Sequence, residues 1–219
     1  CAEVNTIDQG CSIDMPTIAV LDYGIGNLRS AQKALERAGA DAVLTSQAEV
    51  IKKAAGVVLP GVGNFGTCVE ALRTTGVDRM ALEAIESRRP FLGICIGMQL
   101  LFEGSEESPN HQGLGVLSGE VRILPESVRR PQMQWNAIHV RKDSQILKGL
   151  DGKWLYFVHS YAADLSPNNE IVAATCTYGN DVVAAVQSEN IFATQFHPEK
   201  SSDAGKKFLV NFVNSCKGI

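Results

Sequence analysis

An α/β domain is the fold class that this sequence predicts: a mostly parallel central sheet flanked by helices and continued by an antiparallel extension. Three observations carry it. Short apolar runs alternate with helical patterns from residue 17 to residue 102, which argues for parallel strands covered by helices on both faces. From residue 120 to residue 196, β-rich runs are separated by turn residues, a spacing that suits hairpins. The 219 residues hold no internal repeat, low-complexity tract or clear linker, so one domain accounts for the chain.

Residues 17–22 form the first predicted strand, followed by the loop Tyr23-Gly24-Ile25-Gly26. Residues 27–39 read as a helix: Leu28, Ala31, Ala34, Leu35 and Ala38 recur at helical spacing and Gly39 stops it. Residues 41–45 read as the second strand and 47–55 as a short helix. The third strand, at 57–59, is expected to be broken by Pro60 and Gly61. Residues 67–87 read as helix in two pieces around Gly76, residues 90–94 as the fourth strand and 96–102 as a helix. Strands are then expected at 120–124, 136–140, 154–159, 171–177, 182–188 and 191–196. The last helix, 203–216, carries Phe208, Leu209, Phe212 and Val213 on one face.

Composition narrows the function classes. Twenty Lys+Arg against 24 Asp+Glu give a net charge of −4, which speaks against nonspecific nucleic-acid binding, where a basic face is needed. The longest apolar stretch, residues 91–102, is interrupted by Gly93, Gly97 and Gln99 and falls short of the roughly 20 residues of a membrane span. Six cysteines show no CxxC spacing, so a reduced, cytoplasmic setting is expected and no metal site is read from the cysteines and histidines. Residues 1–14 carry Glu3, Asp8 and Asp14 and lack an apolar core, unlike a secretory signal. They are expected to be a non-native or disordered leader, with the domain occupying 15–219.

The chemistry-bearing residues are spread along the chain. Cys95 sits in Gly93-Ile94-Cys95-Ile96-Gly97, between an apolar strand and a helix. This is the cysteine form of a strand–nucleophile–helix elbow, whose sharp turn would expose the sulfur at a helix start. Alone, such a motif also describes a buried cysteine with glycines for packing. His197 ends the last strand, in Gln195-Phe196-His197-Pro198-Glu199. Residues i and i+2 of an extended segment point the same way, so Glu199 can hold one imidazole nitrogen while the other serves a thiol. His111 reads as solvated and His139 as a strand residue. Pro60-Gly61-Val62-Gly63-Asn64-Phe65-Gly66 follows the third strand. It lacks the Lys and Ser/Thr of a phosphate-binding loop, and beside a cysteine nucleophile its backbone N–H groups suit an oxyanion hole.

Together these three pieces resemble the class I, or triad, glutamine amidotransferases. PGVGNFG is similar to their oxyanion loop, GICIGMQLL to their nucleophile elbow and QFHPE to their histidine–glutamate pair. Asp22-Tyr23-Gly24-Ile25-Gly26-Asn27-Leu28, Met133-Gln134-Trp135-Asn136 and His159-Ser160-Tyr161 narrow the resemblance to the glutaminase subunits of imidazole glycerol phosphate synthase in histidine biosynthesis. It covers Met15 to the last helix, and Gln134 stands where that group's pattern has glycine.

The resemblance implies a flavodoxin-like type-1 amidotransferase domain that hydrolyses glutamine with the catalytic residues Cys95, His197 and Glu199 and no metal or organic cofactor. It implies oxyanion donors around Val62, Gly63 and Ile96, and glutamine-binding groups at Gln99, Ser160 and Tyr161. It also implies a heterodimer with a (β/α)8-barrel cyclase subunit, which takes the ammonia to make imidazole glycerol phosphate and AICAR; Asn27 and Trp135 are the expected contacts. Because residue 219 is reached without a barrel, that partner is expected on a separate chain. The alternatives are a sibling such as the pyridoxal phosphate synthase glutaminase, a cysteine hydrolase or protease of this fold, and a non-catalytic module with a sensor thiol. The first lacks YGIGN and MxWN; the last does not account for the His197–Glu199 pair.

Overall fold

The computed structural model describes residues 15–166 and 168–217. The expected leader at 1–14, with Cys1 and Cys11, and Pro167 in one expected turn lie outside the described residues.

The elements follow in the order β1 (Thr17–Leu21), α1 (Leu28–Arg37), β2 (Asp41–Thr45), α2 (Ala48–Lys53), β3 (Gly56–Gly61), α3 (Phe65–Thr75), α4 (Val77–Glu86), β4 (Phe91–Cys95) and α5 (Ile96–Gln99). The second half holds β5 (Gly104–Ser105), β6 (Glu120–Ile123), β7 (Gln132–Val140), β8 (Trp154–His159), β9 (Tyr161–Ala163), β10 (Val172–Tyr178), β11 (Asn180–Ser188), β12 (Ile191–Thr194) and α6 (Ser202–Ser215). Short 3-10 turns occupy Gln145–Leu147 and Pro198–Lys200.

Nine strands form one sheet in the order β2-β1-β3-β4-β12-β11-β10-β7-β8. β2, β1, β3, β4 and β12 run parallel; β11, β10, β7 and β8 continue antiparallel. A separate sheet, β5-β6-β9, was not expected from the sequence. β1 crosses to β2 in one direction and β3 to β4 in the other, so right-handed connections place their helices on opposite faces. Accordingly α1 packs beside α6, while α4 packs on α2 and α3. The reversal lies between β1 and β3, and in such sheets the crevice beyond the strands' carboxyl ends is where ligands bind.

Two features of this sheet position the site. β12, from the far end of the sequence, inserts beside β4 with Thr194 paired to Ile94. On β4's other flank, β3 pairs Gly61 with Cys95. The strand expected to break at Pro60 therefore runs on to Gly61. β1 pairs β3 only from Gly56 to Val58, so Pro60, which lacks an N–H, sits past that ladder, and its carbonyl accepts the Tyr23 hydroxyl at 2.8 Å. The helix expected over 96–102 is shorter, ending as α5 at Gln99, and the strand expected from residue 136 begins at Gln132.

Candidate active site

Cys95 ends β4 and precedes α5 with φ +55°. A non-glycine residue in this region is strained, and such strain gathers at functional turns. The turn closes because a Cβ at Gly97 would overlap the Leu59 carbonyl, so only glycine fits there. The sulfur was expected to be exposed; Cys95 is instead 4% exposed, because the loop after β3 and the end of β12 flank it. Burial pushes the thiols of Cys176 and Cys216 up to about 12 and also raises Cys68, which leaves these three as apolar core groups.

His197 follows β12, and Phe196 fixes its direction. Phe196 is buried and packs edge-on against Phe157 and Phe208, with ring centroids 5.8 and 5.4 Å away. The chain bends at Gln195 and Phe196 once β12 has ended and turns again at Pro198–Lys200, so the buried Phe196 anchors the bend that carries Gln195 and His197. His197 Nδ1 donates to Glu199 Oε1 at 2.8 Å, with both side chains at most 5% exposed. This contact leaves Nε2 buried and without a hydrogen-bond partner of ordinary geometry. Burial pulls the imidazole down, but the Cys95 sulfur and the Glu199 carboxylate outweigh it and push His197 up to about 10. Ser201 braces the turn: it accepts the Tyr156 N–H at 2.9 Å and donates to the His197 carbonyl at 2.6 Å, while the His197 N–H donates to the Tyr156 carbonyl at 2.9 Å.

The loop after β3 is clamped at its far part and more lightly held at its start, where the Val62 carbonyl accepts the Cys68 thiol at 3.7 Å. Asn64 Oδ1 accepts the Thr67 N–H at 3.1 Å, Glu107 accepts the Phe65 N–H at 2.7 Å and Ser108 Oγ accepts the Gly66 N–H at 3.1 Å. Val62 and Gly63 precede this clamp, directly beyond the residue paired with Cys95. Gly63 has φ +110° with open space around it, so its backbone accepts peptide orientations closed to other residues. Ile96 opens α5 beside the sulfur. The expected oxyanion residues thus flank Cys95 on two sides.

Gln99 is buried one helical turn after Cys95, as its spacing predicts. Its Nε2 donates to the Tyr161 carbonyl at 2.9 Å and to Gln195 Oε1 at 3.0 Å, and its Oε1 has no partner. The Ser160 carbonyl accepts the Leu124 N–H at 2.9 Å and the Tyr161 carbonyl also receives His159 Nδ1 at 2.8 Å, so both carbonyls already serve the protein. Trp135 lies in β7 rather than in a loop; it is 42% exposed and packs edge-on against Tyr156. Asn27 is exposed just before α1. β7 starts at the edge where the parallel strands end, so both expected contact residues share the site's edge.

Several participants escaped sequence reasoning. Gln195 lies 3.8 Å from the Cys95 sulfur, and its place two residues before His197 in the QFHPE motif was the signal that could have found it. His159 lacked a carboxylate neighbour in sequence, yet it is buried and lowered to about 4, chiefly by burial. Tyr23 and Glu107 reach the site only through tertiary packing. His111, expected to be solvated, pairs with Glu70 at 2.9 Å, and His139 is exposed on β7. Among the described residues no His, Cys, Asp and Glu cluster has a metal-ligand arrangement, and no helix is long and apolar enough to cross a membrane.

Comparison with known proteins gives the same outline. The "imidazole glycerol phosphate synthase subunit HisH" of Geobacter metallireducens is 47% identical, over 92% of this chain and 99% of that protein. The proteins of that name from Methanothermobacter thermautotrophicus and Aquifex aeolicus are each 46% identical, over 90% and 91% of this chain and 97% of theirs. A solved structure described as a glutamine amidotransferase shares the fold with a TM-score of 0.71 at 21% identity, covering 90% of this chain and 98% of that one. Residues 19–216 match the family "Glutamine amidotransferase class-I", and the chain belongs to that family and, within it, to the HisH subunits of imidazole glycerol phosphate synthase.

Proposed function

We propose that this chain hydrolyses glutamine to glutamate and ammonia at Cys95, His197 and Glu199, and hands the ammonia to a (β/α)8-barrel cyclase subunit. The observation that carries the reading is the buried His197–Glu199 pair at 2.8 Å beside a cysteine held at positive φ. The names of its relatives support the histidine-pathway assignment.

The Cys95 thiolate attacks the carboxamide carbon. A carbon–sulfur bond forms and the carbonyl electrons move onto oxygen, where N–H groups from the Val62–Gly63 segment and Ile96 receive the charge. Losing one such donor raises the barrier by about 3 kcal/mol. His197 passes its Nε2 proton to the departing nitrogen, the carbon–nitrogen bond breaks and ammonia leaves a γ-glutamyl thioester. Neutral His197 then takes a proton from water, the hydroxide oxygen attacks the thioester and the sulfur leaves as thiolate. One water is consumed, and glutamate and ammonia are released. The free Gln99 Oε1 suits a substrate N–H, and Ser160 and Tyr161, whose carbonyl meets Gln99, are the proposed partners of the substrate's α-groups.

Asn27 and Trp135 are the proposed cyclase contacts, because they put the partner over the edge where ammonia is made. Glutamate release, measured alone and with the cyclase subunit and its nucleotide ligand, tests the reading. Strong stimulation by the loaded partner is expected; equal rates in both conditions would contradict a coupled subunit.

A further inference from the structure

The Cys95 sulfur has a neighbour that the triad does not use. Ile94 and Thr194 are paired across β4 and β12, which brings Gln195 level with Cys95. Gln195 is fully buried, in the bend that Phe196 anchors against Phe157 and Phe208. Its side chain contacts both the sulfur, at 3.8 Å, and Gln99 Nε2, at 3.0 Å.

Which end of the Gln195 carboxamide faces sulfur follows from hydrogen-bond logic. A main-chain carbonyl only accepts. The Gln99 atom 2.9 Å from the Tyr161 carbonyl must therefore be its NH2 group. The same NH2 group meets Gln195, so the Gln195 atom there must be its oxygen. The opposite end of Gln195, facing sulfur, is then an NH2 group. One backbone oxygen sets the polarity of two side chains and ends by pointing an N–H at the nucleophile.

We propose that Gln195 is a further catalytic residue, whose carboxamide N–H, aimed by Gln99 and the Tyr161 carbonyl, stabilises the Cys95 sulfur as an anion. The inference rests on the reading of Cys95 as the nucleophile. A carboxamide does not titrate at working pH, so this donor persists after His197 has given its proton to ammonia, and it faces the sulfur when the thioester breaks. His197 supplies charge that comes and goes; Gln195 supplies a fixed dipole.

The test is the pH profile of Cys95 alkylation by iodoacetamide in the full chain without glutamine, read by mass on the Cys95 peptide. The other titratable groups facing Cys95 are His197 after β12, Tyr23 after β1 and Cys68 in α3, and the substitution changes none of them. Gln195→Met is expected to shift the profile to higher pH, with alkylation about ten-fold slower near neutrality and the alkaline plateau kept. An unshifted profile in folded Gln195→Met overturns the proposal. If that variant fails to fold, Gln99→Met removes the polarity lock one step away; a smaller shift in the same direction supports the proposal and an unshifted profile overturns it. Wild-type Cys95 inert at every pH would instead contradict the nucleophile assignment and this inference with it.

Discussion

Glu199 shows how one residue sets another's chemistry. Its carboxylate holds the His197 Nδ1–H at 2.8 Å in a site where both side chains are buried. Burial by itself would favour neutral imidazole, yet His197 is pushed up to about 10 because the Cys95 sulfur and Glu199 oppose it. That direction favours the imidazolium at neutral pH, the form the proposed mechanism needs to protonate the departing nitrogen. Glu199→Gln removes one of the two opposing charges. Its expected effects are a glutaminase kcat about 100-fold lower and an alkaline limb of the rate profile that moves to lower pH; an unmoved limb would contradict the role. The linkage has a definite sign. A group raised from 6.5 to about 10 on folding stabilises the folded state fully below its unfolded value, and that contribution is lost as pH rises through 10. His159, lowered to about 4, acts oppositely: its contribution is present above 6.5 and lost as pH falls toward 4.

At the scale of elements, the site depends on how closely α6 approaches the turn after β12. A Cβ at Gly205 would overlap the Pro198 carbonyl, so the helix lies directly on the His197–Glu199 turn. Gly205→Ala must push the two apart. A loss of about 1–3 kcal/mol is expected in denaturant unfolding, as for overpacked cores, together with a lower kcat; unchanged values of both would show that the contact is slack. The regular elements were legible from apolar periodicity: β2 and β8 match their expected spans, and the break at Gly76 separates α3 from α4. Elements stabilised by tertiary pairing were not. β5 is two residues long and β9 three, too short for any period to show. The continuation of β3 through Pro60 depends on where β1 stops pairing, and no local propensity encodes that. The candidate nucleophile and base, Cys95 and His197, stood in recognisable motifs, whereas the Gln99–Gln195–Cys95 contacts required knowing that β12 inserts beside β4.

The whole molecule gathers its chemistry on one edge. Strand ends at Leu21, Gly61, Cys95 and Thr194 point there, and the antiparallel extension returns β7 to the same edge with exposed Met133 and Trp135. Trp135 rests on Tyr156, whose main chain holds both His197 and Ser201. A partner bound over Trp135 therefore sits one side chain away from the strand that braces the base. Trp135→Ala is expected to weaken cyclase binding by about 2 kcal/mol, roughly 30-fold, as for a buried aromatic anchor; isothermal titration showing unchanged affinity would move the interface elsewhere.

The central claim is that Cys95 makes ammonia from glutamine for a second active site. It is tested most directly by product formation in the reconstituted complex carrying Cys95→Ala, with glutamine or with added ammonium as the nitrogen source. The account predicts that synthesis from glutamine disappears while synthesis from ammonium continues at the wild-type rate. Persistent synthesis from glutamine, or loss of both, would contradict it.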